Sequence, residues 1–252
     1  MSLSGIHVIT VPCFSGAPWD LKMFPKLVDA YDASSLRLPD RVNTIEPNVE
    51  AVLSEVNCHS NVVLVGDSFG AFVALATALR HPRSLVGLVL SGGFASDPNT
   101  SPVGRTRAWF ARTLPRSWYR QITLRAHANA LASPHDAAGE VPWNSARSRA
   151  LFADNTPWES YVGRLHTIAA ADFRAELAEI DVPTLILSPS YDKLVGRERT
   201  KELRKGIPGA EEVVLDGTGH MFRFTHPHQY EDAVTRFIET RVATRLQETA
   251  AG

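Results

Sequence analysis

The chain has 252 residues, 44% of them apolar, and a formal net charge of −1. That is enough apolar material to fill the core of one large α/β domain, and a charge so close to zero excludes a general nucleic-acid binder. Met1 to Pro12 lacks the basic start and long apolar run of a secretory leader, and no stretch approaches the ~18 consecutive apolar residues of a membrane span. Cys13 and Cys58 fall in or beside predicted core elements, so no disulfide framework is expected. A cytoplasmic protein with neither a nucleic-acid nor a membrane partner is expected.

Ile6 to Val11 reads as a buried strand stopped by Pro12. Trp19 to about Ala30 reads as a helix with Leu21, Phe24, Leu27 and Val28 on one face. Ser34 to Leu38 follows as a short strand, Val49 to Val56 as a helix, Asn61 to Val65 as a strand, Phe69 to Arg80 as a helix, and Leu85 to Leu90 as a strand ended by Gly92-Gly93. The rhythm stops between Phe94 and Ala170, where Trp and Arg accumulate and no clean strand appears. It resumes with strands Thr184–Leu187 and Glu212–Leu215, alternating with helices near Gly196–Lys205 and Pro227–Thr244. Strands alternating with helices imply βαβ units and a mostly parallel sheet covered on both faces. Residues 1–94 and 171–252 are therefore expected to form the α/β core. Residues 95–170 are expected to form a helical cap over the sheet's C-terminal edge, where ligands bind in open α/β sheets; a helical insertion that only adds bulk is the plainer alternative.

Gly66-Asp67-Ser68-Phe69-Gly70 carries the chemistry. A G-x-S-x-G pattern is weak alone, and an idle serine in a glycine-rich turn would match it. Here it joins the strand Asn61–Val65 to the helix after it, which is the setting of a nucleophile elbow. A serine hydroxyl needs a base to take its proton. Asp192 lies just after the strand Thr184–Leu187, and His220 just after Glu212–Leu215. Each alone could be an ordinary loop residue. Together they place Ser68, Asp192 and His220 at three strand ends on one edge of the sheet.

The order Ser, Asp, His in this setting resembles the α/β-hydrolase superfamily over essentially the whole chain. Within it the chain is similar to small capped serine carboxylesterases such as the pimeloyl-carrier-protein methyl ester esterases. Ile180-Asp181-Val182-Pro183-Thr184-Leu185-Ile186-Leu187 resembles their acid-bearing strand, and Gly219-His220 followed by His226-Pro227 their histidine loop. The resemblance implies Ser68 as nucleophile, His220 as general base then acid, and Asp192 as the group that orients the imidazole. It implies backbone N–H donors for the oxyanion at Phe69 and at Phe14, each worth roughly 3 kcal/mol. Pro12-Cys13 stands where the family has His-Gly, which loosens the expectation for Phe14. The usual leading hairpin is missing, so about six strands are expected. No cofactor or metal is implied.

From Pro98 to Pro134 the chain carries Arg105, Arg107, Arg112, Arg116, Arg120 and Arg125 and no Asp or Glu. Arg105, Arg112, Arg116 and Arg120 could share a helical face, though Pro115 breaks a helix there. Such a face would dock an acyl-carrier protein, a phosphopantetheine thioester or a carboxylated substrate; a solvated face balanced by acids elsewhere is the alternative. Trp109, Trp118, Trp143, Trp158 and Tyr161 are expected mainly as cap core, with Trp109, Trp143, Trp158, Arg112, Arg116 and Arg120 as candidate substrate or partner contacts. The expected function is hydrolysis of an ester or thioester through an acyl enzyme. C–C bond hydrolysis, lactone opening or cyclisation on the same fold is the alternative, as is a non-catalytic ligand-binding role.

Overall fold

The computed structural model describes residues 5–99 and 102–251. Six strands form one parallel sheet: β1 (His7–Val11), β2 (Asp32–Ser35), β3 (Val62–Asp67), β4 (Leu85–Ser91), β5 (Thr184–Pro189) and β6 (Glu211–Leu215), in the order β2-β1-β3-β4-β5-β6. Alternate strand residues divide between two cores. Ile9, Val11, Leu64, Leu88, Leu90 and Ile186 face helices α2 (Glu46–Val56), α3 (Phe69–Ala78) and α9 (Arg197–Gly206). Val8, Val63, Val65, Val89, Leu185 and Leu187 face α1 (Pro25–Ala30) and α11 (Pro227–Phe237). Burial on both faces is why the central strands read as continuous apolar runs.

Local chemistry moved several boundaries. Pro25 splits the expected Trp19–Ala30 helix into a tight turn at Leu21–Met23 and α1, since a proline is accepted only in a helix's first turn. The second strand forms on polar Asp32–Ser35, because pairing of His7 with Asp32 through Thr10 with Ser35 decides an edge strand, not hydrophobicity. Leu38, expected in that strand, is buried below the excursion, with its N–H bonded to the Gly16 carbonyl. Helix α2 begins earlier, at Glu46, with Pro47 in its first turn. After the short α10 (Phe222–Thr225), the last helix runs from α11 through a π turn at Ile238–Val242 into α12 (Ala243–Ala251). Cys13 is buried as expected, but Cys58 is exposed, and both are free thiols.

Between β4 and β5 lies an all-helical excursion: α4 (Pro102–Thr113), α5 (Leu124–Leu131), α6 (Pro134–Ala137), α7 (Ser145–Asn155) and α8 (Trp158–Ala170). Pro115 ends α4, and a 3-10 turn at Arg116–Trp118 and a π turn at Tyr119–Thr123 lead into α5. The Asn144 side chain caps α7 by accepting the Arg147 N–H at 3.0 Å. Among the described residues no helix is long and apolar enough to cross a membrane. Strand order reverses between β1 and β3, so the loops after these two strands open a crevice at the C-terminal edge.

Candidate active site

Ser68 occupies that crevice. Its backbone holds φ 55° and ψ −113°, a conformation that costs a non-glycine residue about 1–3 kcal/mol. The flanking glycines make it possible. A Cβ on Gly66 would lie 2.6 Å from the Ala71 Cα, and one on Gly70 would lie 2.5 Å from the Pro12 carbonyl oxygen. The Ser68 N–H donates to the Ser91 carbonyl at 2.7 Å, tying the turn to the end of β4. Phe69 is the first residue of α3, so its N–H belongs to the unpaired, electropositive end of a helix.

His220 and Asp192 reach the serine from the neighbouring loops. His220 Nδ1 lies 2.8 Å from Asp192 Oδ2, and His220 Nε2 lies 3.0 Å from Ser68 Oγ. The other Asp192 oxygen accepts the N–H groups of Leu194 at 2.8 Å and Val195 at 3.0 Å. With Nδ1–H donated to a fixed carboxylate, the Nε2 lone pair is left to accept the serine proton. Burial opposes the charged form of His220, but the Asp192 charge and hydrogen bond outweigh it and hold the imidazole above its ordinary pKa. Burial likewise opposes ionisation of Asp192, and the His220 charge and the hydrogen bonds it accepts keep its carboxyl below the usual value. A buried ion pair joins the end of β3, at the elbow, to the short helix that follows His220. Arg223 Nε donates to Asp67 Oδ2 at 2.7 Å, and its guanidinium lies between the rings of Trp19 and Phe224.

Phe14 lies in the loop after β1. The Gly16 N–H donates to the Cys13 carbonyl at 2.9 Å, closing a turn around Phe14 and Ser15. Gly16 takes φ 72°, and a side chain there would meet the Arg164 guanidinium. Arg164, from α8, is only 1% exposed. Its Nη1 donates to the Phe14 carbonyl at 2.7 Å, and its Nη2 lies 3.7 Å from Asp40. Thr156 Oγ1 donates to the Ser15 carbonyl at 3.0 Å. The loop carrying one expected oxyanion donor is thus held by the excursion. The Phe14 and Phe69 rings pack edge to face with centroids 5.8 Å apart. A second strut reaches the histidine loop, where Thr225 Oγ1 donates to buried Asp136 at 3.3 Å and the Val141 N–H donates to the Thr225 carbonyl at 3.0 Å.

The residues expected in a cap divide. Tyr161 is buried, and Trp143 packs on Phe224 with centroids 4.7 Å apart. Trp109 and Trp118 are exposed rather than core, because α4 and the turn after it lie on the outside. The expected arginine face does not form on one helix: Arg105 and Arg112 belong to α4, Arg116 to the 3-10 turn and Arg120 to the π turn. Arg116 pairs with Glu159 at 2.9 Å. Two open grooves, of about 520 and 580 Å³, lie on this outer surface. Arg120 lines both, Trp158 and Arg116 line the larger, and Ser68, Asp192 and His220 line neither. His7, Glu55 and His59 bring ligand atoms within 4.8 Å of one another at the opposite edge of the sheet. The two imidazoles are stacked at 3.6 Å with planes 11° apart, so their in-plane lone pairs do not converge on one ion.

The sequence reading did not single out Arg164, Asp67, Arg223, Asp136 or His127. Arg164 had a signal, since it lies on the inward stripe of α8 with Ser160, Tyr161, Thr167 and Ile168.

Sheet order, elbow and the Ser68–His220–Asp192 chain together define an α/β hydrolase. The chain belongs to the alpha/beta hydrolase family, whose model matches residues 3–233. It is 26% identical over 199 residues to a Pseudomonas syringae pv. syringae (strain B728a) protein carrying the name carbamate hydrolase RutD, covering 73% of this chain and 68% of that one. It is 25% identical over 243 residues to a pimeloyl-[acyl-carrier protein] methyl ester esterase of Aeromonas hydrophila subsp. hydrophila, covering 89% and 91%. The crystal structure of a hydrolase from Pseudomonas aeruginosa PA01 superposes with a TM-score of 0.76 at 21% identity, over 92% of this chain and 89% of that one.

Proposed function

We propose that this hydrolase cleaves a carboxylic ester or thioester through an acyl-enzyme intermediate. The observation that carries the reading is the continuous hydrogen-bond chain from Asp192 through His220 to Ser68, at 2.8 and 3.0 Å. Ser68 Oγ attacks the carbonyl carbon while His220 Nε2 takes its proton. Charge on the carbonyl oxygen is met by the N–H groups of Phe69 and Phe14. His220 then protonates the leaving alcohol or thiol, and the acyl enzyme is released by water that the same imidazole deprotonates. Asp192 holds the tautomer and stabilises the imidazolium without taking its proton.

A fluorophosphonate probe tests this directly. Ser68 is expected to be labelled in the wild type, and Ser68→Ala to be unlabelled and inactive on a panel of p-nitrophenyl esters. A wild type that resists labelling overturns the reading. The relative named as a carbamate hydrolase adds aryl carbamates to that panel. An anionic carrier such as an acyl-carrier protein is the partner we propose. Arg120, Arg125 and Arg149 line the groove of about 520 Å³ with no acid among its lining residues, which supports this choice. Charge reversal at Arg149 should then raise KM for a carrier-bound ester and leave KM for a small aryl ester unchanged.

A further inference from the structure

Helix α5 turns a buried stripe of Leu124, Ala128 and Leu131 inward, and His127 lies on the same stripe. Its ring packs among aromatic neighbours, with centroids 4.7 Å from Phe152, 5.4 Å from Phe14 and 5.5 Å from Tyr161. Phe14 in turn touches Phe69. His127 therefore packs directly on one residue expected to supply an oxyanion donor, Phe14, and is one side chain away from the other, Phe69.

Its two nitrogens have different surroundings. Nδ1 lies 2.8 Å from the Tyr161 hydroxyl. A phenol is the better donor and a neutral imidazole nitrogen the better acceptor, so Tyr161 gives its proton to Nδ1 and the ring carries its own on Nε2. Tyr161 is 4% exposed, so this contact is shielded from competing water. Among the described residues Nε2 has no protein partner, and it is not sealed from solvent. Burial, and then the nearby His220, push the His127 pKa down to about 4, so the ring is neutral at pH 7.

We propose that His127 is a substrate-recognition residue, whose Nε2–H, fixed by Tyr161, donates to an uncharged acceptor oxygen of the bound substrate away from the scissile bond. The preferred substrates are then esters carrying an added ketone, ether or hydroxyl oxygen, not plain alkyl esters or carboxylates. A carboxylate brought to this aromatic wall would lose its hydration without gaining a cation, because Arg164 bonds the Phe14 carbonyl through Nη1 and its other nitrogens are sealed from solvent. One donor in an aromatic wall discriminates because a plain alkyl group leaves it unpaired. Turnover of such esters rests on the hydrolase reading above; their binding does not.

The test uses ethyl hexanoate as reference and its 3-, 4- and 5-oxo derivatives, with a matching oxo series on the alcohol side. Binding is measured by calorimetry on Ser68→Ala, and kcat/KM on protein with Ser68 intact. At least one oxo ester is expected to bind about five- to tenfold tighter than its reference. In His127→Phe, which keeps a ring in the wall, that ratio should collapse to about one. In Tyr161→Phe, which frees the tautomer, it should fall part of the way. A general packing defect lowers both esters together and leaves the ratio intact. His127→Gln, which keeps an N–H donor, should retain part of the ratio and supplies the readout if His127→Phe does not fold. Ratios near one throughout in protein retaining His127, or a ratio that survives loss of His127, overturn the inference. If the fluorophosphonate fails to label Ser68 the hydrolase reading falls, and the Ser68→Ala binding ratios still decide this one.

Discussion

Replacing Arg164 with Met separates catalysis from stability. The substitution removes a charge-assisted hydrogen bond to the Phe14 carbonyl, worth about 1.5–3 kcal/mol. It also removes a buried cation whose Nε and Nη2 have no hydrogen-bond partner and whose nearest carboxylate is 3.7 Å away. Burying such a charge costs several kcal/mol. Asp40 is not stranded by the change, because it is 43% exposed and accepts the Ser160 hydroxyl. The two effects on stability oppose each other, so the melting temperature should move by only a few degrees. Nothing offsets the effect on the reaction. On the proposed mechanism the Phe14 N–H meets the developing oxyanion, and freeing the Phe14 carbonyl next to it loosens that donor's aim, where one donor is worth about 3 kcal/mol. Partial loss should lower kcat roughly 10- to 100-fold, with little change in KM. The assay is steady-state hydrolysis of a p-nitrophenyl ester beside a thermal melt, with Arg164→Lys as a partial rescue. A kcat within twofold of wild type refutes the reasoning. So does a loss of kcat that only mirrors a large drop in melting temperature.

Three further outcomes follow from the site. Asp192→Asn should lower kcat by roughly 10³–10⁴-fold with the protein still folded, because an amide can no longer fix the His220 tautomer; near-normal turnover would remove Asp192 from the mechanism. The kcat/KM profile should have an acid limb centred above the ordinary imidazole value of 6.5, since His220 is held above it and would serve as the proposed base only when neutral. His127, near pKa 4, adds no limb in that range, so a midpoint below 6 would contradict the assignment. By linkage the raised His220 pKa contributes stability at low pH that is lost as pH rises through it, so activity and this contribution run in opposite directions. Arg223→Met leaves Asp67 charged and buried, which should cost about 3–5 kcal/mol and lower the melting temperature by roughly 6–20 °C; Asp67→Asn added to it should recover much of the loss.

How much of this was legible beforehand depends on the range of the signal. The central strands announce themselves because they are apolar on both faces, and the elbow because its glycines face backbone that leaves no room for a side chain. Asp192 and His220 could be placed since each follows a strand directly. Asp32–Ser35 was misplaced by two residues at its start and three at its end because an edge strand is defined by its partner and not by its own composition. Trp109 and Trp118 were misjudged as core because an aromatic residue in a helical insertion carries no mark of which way the helix faces. Arg164 and Asp136 were missed for a related reason. They are charged residues on helices of the excursion, and what they hold lies about 120 to 150 residues away for Arg164 and 89 for Asp136 in the chain.

The struts from Thr156 and Arg164 to the loop after β1 bear on how this enzyme could be re-engineered. Exchanging the whole excursion for that of another hydrolase would remove the scaffolding of the loop that carries Phe14, so a chimera would lose turnover before its new specificity could be read. Point changes at the inward positions of α5 and α7 leave those struts standing, and they are the better route to altered substrate range.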